Sequence, residues 1–432
     1  MGTYNLILLT LLLVAFFFML MVFSQQDLNK VYLKYILITY PFMAIDLFPR
    51  TLSTSIFDFI TIAFLLFFYK PKKVFIQFGK TYLYLFVLLT LFSIAGIFNA
   101  DTITKDTTSA LLQLGTTFCF AKILLDECVS DDGFIFTILN ILKFTLFISL
   151  IFLGFQLVYG TAFTFERNLN LNVYNSSSIR YPSFFQDPQK FAQFLAISSL
   201  LLFIQKKSNS VSFILNLGLL IVTLVAMMLT GGRAGLGGWC IGLLIILLFG
   251  GKKYRIPILT VSAFLFFIVY NYTEHFPMFN RLTTLNEDYE FRYAIWQDAF
   301  QIFKDNPTVG IGIGNYANYV SIHNPDQVWS TEYNYSYFDH PESGYLKFLT
   351  EFGLIGFLSI ISLILYPIYR GFKTYFSSGN YIILILIGAL ISWLVGFYTI
   401  YSLDDTRIRI LVVTILCLLI SKSKLINSNA AL

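Results

Sequence analysis

Apolar runs of roughly 18 residues or more recur along the whole chain, beginning with Leu6–Phe23, and short polar stretches separate them. Each run is long enough to cross a hydrocarbon core of about 30 Å as a helix. The runs are continuous and lack the polar alternation of a transmembrane barrel strand. The pattern predicts an all-α polytopic membrane protein with spans near 4–23, 31–48, 53–69, 81–98, 107–125, 134–159, 190–205, 211–230, 234–250, 256–272, 345–368, 379–401 and 406–421. That is about 12–13 spans, the second and fifth being the weakest. The spans divide the chain into N-terminal helices (1–159), central helices preceded by a loop at 160–189 (160–272), a long loop (273–344) and C-terminal helices (345–432).

Lys and Arg orient the spans. Lys70, Lys72, Lys73 and Lys80, then Lys206 and Lys207, then Lys252, Lys253 and Arg255, then Arg370 and Lys373, then Lys422 and Lys424 all fall on one side. By the positive-inside tendency that side is cytoplasmic. The other side then receives the 160–189 loop, the Thr230–Arg233 turn, the 273–344 loop and the Ser402–Arg407 turn. The first run has neither a basic leader nor a small-residue cleavage site and is read as a retained span.

Composition agrees, with 57% hydrophobic residues, 12% charged residues and a mean hydropathy of +0.72. A soluble chain carries about twice that share of charge. The net charge of +5 calls for no nucleic-acid partner. Cys119, Cys128, Cys240 and Cys417 show no metal or disulfide spacing and read as apolar residues.

The 273–344 loop is too long for a connector. Phe291, Ile295, Ile302 and Phe303 recur at helical spacing over 291–304, predicting a short amphipathic helix ended by Asn306-Pro307. Gly310, Gly312 and Gly314 follow and read as turn glycines, because no strand precedes them as in a nucleotide cradle. His275, His323 and His340 all lie in this loop but at no metal-ligand spacing. Tyr316, Tyr319, Trp329, Tyr333, Tyr335 and Tyr337 suit either an interfacial belt and loop core or a platform for sugar rings.

Four arginines lie against the positive-inside tendency: Arg180, Arg233, Arg281 and Arg292. Arg233 follows two glycines at the start of a predicted helix, where free N–H groups and the positive helix end favour an anion. A guanidinium fork suits phosphate oxygens, although snorkelling or local ion pairing accounts for any one of them equally well. Together they point to an anionic ligand at the membrane surface, such as a lipid-linked diphosphate. Glu342 opens the next span and suits either a general base or a helix cap.

These motifs, taken in order over about residues 180–365, resemble those of the O-antigen ligase and polymerase superfamily, the Wzy/WaaL-type membrane glycosyltransferases. The carrying segments are Arg180-Tyr-Pro-Ser-Phe-Phe-Gln-Asp187-Pro-Gln189, Leu229-Thr-Gly-Gly-Arg233, Arg292-Tyr-Ala-Ile-Trp296 with Asn306-Pro-Thr-Val-Gly310-Ile-Gly-Ile-Gly-Asn315, and Glu342-Ser-Gly-Tyr-Leu with Glu351-Phe-Gly353-Leu-Ile-Gly356. Where ligases carry histidine, this chain holds Glu342; His340 lies two residues too early, which favours a polymerase.

The resemblance implies a GT-C-like fold in the bacterial inner membrane with its active site on the periplasmic side. It implies a metal-independent, inverting transfer with no cofactor, from an undecaprenyl-diphosphate-linked glycan to the next lipid-linked repeat unit. Glu342, Arg292 and Arg233 would be catalytic; Arg180, Arg281, His340, Tyr345, Trp296 and Asn315 would bind substrate. Membrane lipid and a polysaccharide chain-length regulator are the further expected partners. The alternatives are a ligase acting on lipid A core or protein and, from another class, a lipid-linked oligosaccharide flippase. A flippase predicts inverted repeats and charged or broken midplane helices, and the sequence shows neither.

Overall fold

The computed structural model describes residues 3–47, 54–71, 80–99, 104–166, 169, 179–205, 210–251, scattered positions from 255 to 271, 276–280, 285–323, 328–331, 334–337 and 340–429. The helices that precede the long loop are α1 (Thr3–Phe23), α2 (Leu28–Ile38), α3 (Ile56–Phe67), α4 (Lys80–Ile97), α5 (Lys105–Ser130), α6 (Asp132–Tyr159), α7 (Pro188–Leu200), α8 (Ser210–Thr230) and α9 (Arg233–Phe249). After them come two helices of the long loop, α10 (Leu285–Asp305) and α11 (Tyr316–His323), then an antiparallel hairpin of β1 (Val328–Thr331) and β2 (Asn334–Tyr337). The chain ends in α12 (Gly344–Ser378), α13 (Tyr381–Phe397) and α14 (Thr406–Asn429). Among the described residues, five helical stretches are long and apolar enough to cross a membrane: Leu6–Phe23, Lys105–Ser130, Asp132–Tyr159, Val211–Thr230 and Gly344–Ser378. The protein is an all-α polytopic membrane protein whose long loop adds one small hairpin to the predicted helices.

Local chemistry sets the boundaries. The expected 31–48 span is the shorter α2, because Pro41 follows in a 3₁₀ turn, Tyr40–Phe42, and lacks the N–H that would continue the helix. Ser55 and Asp58 form a reciprocal capping box on α3. The Asp187 side chain accepts from the Gln189 N–H at 2.7 Å, and Pro188 takes the first helical position of α7. α12 runs ten residues past the expected end at 368, until Gly379 closes it at a φ of 66°. It bends sharply at Gly353 (φ 62°, ψ −173°), which leaves an N-terminal arm of 344–352 and a longer arm of 354–378. The expected 256–272 span falls mainly outside the described residues.

α1 is apolar on every side and leaves Leu8, Leu11, Leu12, Val22 and Phe23 exposed, as a lipid-facing helix does. The centre of the bundle is built by small residues. Gly238 and Gly242 of α9 meet Gly388 and Ser392 of α13; a Cβ on Gly238 would lie 2.2 Å from the Ser392 carbonyl oxygen. In lipid such close backbone approach supplies the van der Waals contact that water exclusion cannot. α13 therefore stands at the middle, against α7 and α9 on one side and α12 and α14 on the other.

Charges sit at the two ends of the bundle. At one end Lys30 meets Asp131 at 2.6 Å, Asn29 donates to Glu127 at 3.0 Å and Lys422 donates to Asp132 at 2.7 Å. Lys70 lies at this end too, its carbonyl accepting from the Asn29 side chain at 3.0 Å. The opposite end holds the α8–α9 turn, the α13–α14 turn, the start of α12 and the long loop. In that loop, α10 and α11 share a small core of Ala299, Ile302, Ile311, Tyr316 and Val320.

Candidate active site

The glycines after α10 seat the long loop on the bundle. Gly310, Gly312 and Gly314 take φ values of 69°, 90° and 69°, which L side chains rarely adopt. The Ile311 N–H donates to Thr350 O at 3.0 Å, the Gly312 N–H to Glu351 O at 2.9 Å and the Leu354 N–H to Pro307 O at 2.9 Å. The loop thus satisfies backbone groups that the Gly353 bend releases, and a Cβ on Gly353 would fall 2.4 Å from Thr308 O. These glycines make a backbone joint. Asn315 belongs to it: it is buried at 1% exposure and its side-chain N–H donates to Ile311 O at 3.1 Å.

That joint fixes α10 against the start of α12, and there Arg292 Nη2 meets Glu342 Oε2 at 3.7 Å. Both side chains keep 21% exposure. At 3.7 Å the contact is an ion pair longer than a hydrogen bond. Glu342 is not the helix cap: Ser343 takes that position and makes no side-chain capping bond. Glu342 instead has a φ of 49°, one of two non-glycine residues in the left-handed region among those described. A carboxylate in that conformation is strained by roughly 1–2 kcal/mol, which the surrounding structure must hold.

Arg180 and Arg233 converge on the α8–α9 turn. Arg180 is buried and its Nε donates to Thr230 O at 2.7 Å. Gly231 turns the chain at a φ of 64°, with the Arg180 side chain lying against it. Gly232 is the N-cap, and a Cβ there would stand 2.4 Å from that of Ala192, so α9 begins hard against α7. Arg233 follows as the first residue of α9, half-buried. Arg180 thereby braces the turn that presents Arg233.

The other expected site residues take defined places. Trp296 packs edge-on to Tyr398 at 5.4 Å. Tyr345 donates its hydroxyl to Leu394 O at 2.8 Å and so ties α12 to α13. His340 lies edge-on to Tyr401 at 6.2 Å, whereas His323 packs on Tyr319 at 4.2 Å. Arg281, His275 and Tyr333 lie outside the described residues, as do the side chains of Trp329, Tyr335 and Tyr337.

The Ser402–Arg407 turn, a plain connector by its sequence, holds a second charged group in the tertiary structure. Arg407 makes a bidentate pair with Asp405, with Nε to Oδ1 at 2.9 Å and Nη2 to Oδ2 at 2.7 Å, and Nη2 also meets Glu166 at 2.9 Å. Its Nη1 donates to Phe184 O, and the guanidinium lies 4.6 Å from the Phe185 ring centroid. Burial pushes the Asp405 carboxyl up, but the Arg407 charge and hydrogen bonds outweigh it and hold it below the usual carboxylate range. Nearby, Lys190 pairs with Asp404 at 2.5 Å, and Lys347 pairs with Glu351 at 3.0 Å. Lys347 also lies 4.9 Å from the Tyr401 ring centroid. The available signal was the density of charge at the mouth of an apolar span: Asp404, Asp405, Arg407 and Arg409 within six positions.

Residues 218–361, a third of the chain, match the O-antigen ligase family model. The matched segment takes in Arg233, Arg292, Trp296 and Glu342. No curated protein matches the chain significantly. Over that third the chain is similar to the O-antigen ligase family, and the apolar helices make it a multi-pass membrane protein.

Proposed function

From that family likeness, we propose that the protein is a polysaccharide polymerase, carrying a glycan from undecaprenyl diphosphate onto the next lipid-linked repeat unit. The observation that carries the reading is the Arg292–Glu342 pair, a strained and accessible carboxylate held beside a guanidinium at the head of α12. Glu342 acts as general base on the acceptor hydroxyl. The acceptor oxygen attacks the anomeric carbon as the bond to the diphosphate oxygen breaks, inverting that centre; the proton goes to Glu342. The leaving lipid diphosphate takes the electron pair, and Arg292 and Arg233 neutralise its charge. Arg180 places the diphosphate by fixing the α8–α9 turn. Much of the rate comes from positioning, because a lipid diphosphate is already a good leaving group.

Lys70 and Lys422, basic residues at the opposite end of the bundle, support an extracytoplasmic site, periplasmic in a cell with two membranes. Glu342→Gln is the test. It should abolish long-chain polysaccharide in cells lacking the native protein while the variant remains folded and inserted in the membrane. Normal chain lengths from that variant would refute the base assignment.

The family match itself favours a second reading, a ligase that delivers finished glycan to lipid A core or protein. Deletion separates the two. Losing a polymerase leaves single repeats on the acceptor, whereas losing a ligase leaves it bare.

A further inference from the structure

A cavity of about 350 Å³ lies between α4, α5, α12 and α14, on the far side of α13 from Arg180 and Arg233. Its wall is apolar along most of its length, with Phe86, Phe118, Leu125, Leu416 and Ile420 among the lining residues. Gly314, Lys347, Glu351, Asp404 and Arg409 lie together at the end nearest the candidate active site. From Ala110 to Leu125 along α5 it reaches about 20 Å, most of the depth of a hydrocarbon core. A volume drawn out over that length suits an extended hydrocarbon chain lying along α5.

The charged end is built to hold something. Arg409 is 8% exposed; its Nη1 donates to Gln113 Oε1 at 2.7 Å and its Nη2 to Thr406 Oγ1 at 3.1 Å. Its Nε is buried without a hydrogen-bond partner, as is the Thr117 hydroxyl in the same wall. A buried guanidinium N–H left unmade is costly, and an anionic oxygen entering the cavity would satisfy it. The carboxylates around it are already engaged. Glu351 is paired to Lys347 and Asp404 to Lys190, while Asp58 stays 4.0 Å from Arg409 and accepts from Ser55 and Thr116. An arginine within a membrane bundle marks a ligand path by default.

We infer that this cavity binds the chain of a second lipid substrate, a single-chain polyprenyl phosphate, with its phosphate at Arg409 and Lys347 and its isoprenoid tail between α5 and α14. The inference rests on the lipid-linked reading proposed above and deepens it. Lipid-borne donor and acceptor reach Glu342 from opposite sides of α13, the donor through Arg180 and Arg233 and the acceptor through this cavity. Lys347 follows Glu342 by five positions, so a phosphate there holds its sugar beside the base.

The test uses the full-length protein in nanodiscs and a polyprenyl phosphate whose tail carries a diazirine. Photolysis should label peptides of α5 and α14, with unlabelled polyprenyl phosphate competing and phosphatidylglycerol not competing. Ala121→Phe fills the shaft and should reduce labelling at least about tenfold; Arg409→Gln should weaken apparent affinity about tenfold. Gel filtration of each variant checks that it is folded, and the labelling of the unaltered protein decides the matter even where a variant is not. Labelling confined to other helices, or equal competition by phosphatidylglycerol, would overturn the inference. Labelling of α5 and α14 together with normal polymer from Glu342→Gln would keep the cavity and remove the proposed mechanism.

Discussion

Two arginine–carboxylate groups at the same end of the bundle are built in opposite ways. Arg407 is saturated: two carboxylates, a carbonyl and an aromatic face surround a side chain that keeps 3% exposure. Arg292 meets Glu342 at 3.7 Å with both partners partly exposed, and the carboxylate stands on strained backbone. A buried charge with every donor engaged has nothing left to offer a substrate, and losing its partner strands a charge in low dielectric. A loose pair at a mouth keeps lone pairs and donors for a ligand. Arg407 locks the 160–166 loop, the Phe184–Phe185 segment and the α13–α14 turn together; Arg292 and Glu342 remain available for chemistry.

The largest effect should come from breaking the saturated group. Arg407→Ala leaves Asp405 buried without its cation and should cost about 3–5 kcal/mol, read as loss of folded protein in detergent. Stable, monodisperse Arg407→Ala protein would erase the distinction between the two groups. Arg292→Ala should do the reverse, leaving the thermal transition near its original position and lowering the transfer rate by about 10²–10³. Arg292→Lys should recover little of that loss, because an ammonium lacks the planar fork; full recovery would reduce Arg292 to a point charge.

Gly353→Ala tests the joint that holds the loose pair in place. A Cβ there meets Thr308 O at 2.4 Å on backbone at φ 62°, so stability should fall by at least about 2 kcal/mol and activity with it. The smallest effect is the most discriminating. Glu342→Gly relieves a left-handed side chain and should raise stability by about 1 kcal/mol while removing activity. A lower melting temperature in that variant would show that the conformation is held by useful contacts and stores no strain for function.

Much of the bundle was readable residue by residue. Apolar length alone locates α1, α6, α8 and α12, because a bilayer demands such length. Asp187-Pro188 marks the start of α7 for a local reason, a side chain and a ring that act on their own turn. The candidate site was legible only in part. Arg233 and Glu342 stand out as polar residues at the mouths of spans, and Arg292 stands out in the amphipathic loop helix. Asn315 and Tyr345 looked alike as polar groups near a site, but the fold gives the Asn315 amide N–H to Ile311 O and the Tyr345 hydroxyl to Leu394 O.

The sequence by itself therefore determined the membrane class and the approximate place of the long apolar helices. These depend on composition and on neighbours a few positions apart. Only the tertiary structure decided which charges are spent. Arg407 meets Glu166 across more than two hundred positions, Arg292 meets Glu342 across fifty, and the cavity at Arg409 is walled by helices from both halves of the chain. Whether a guanidinium is saturated or available depends on what packing brings to its five donors, and no local pattern carries that information.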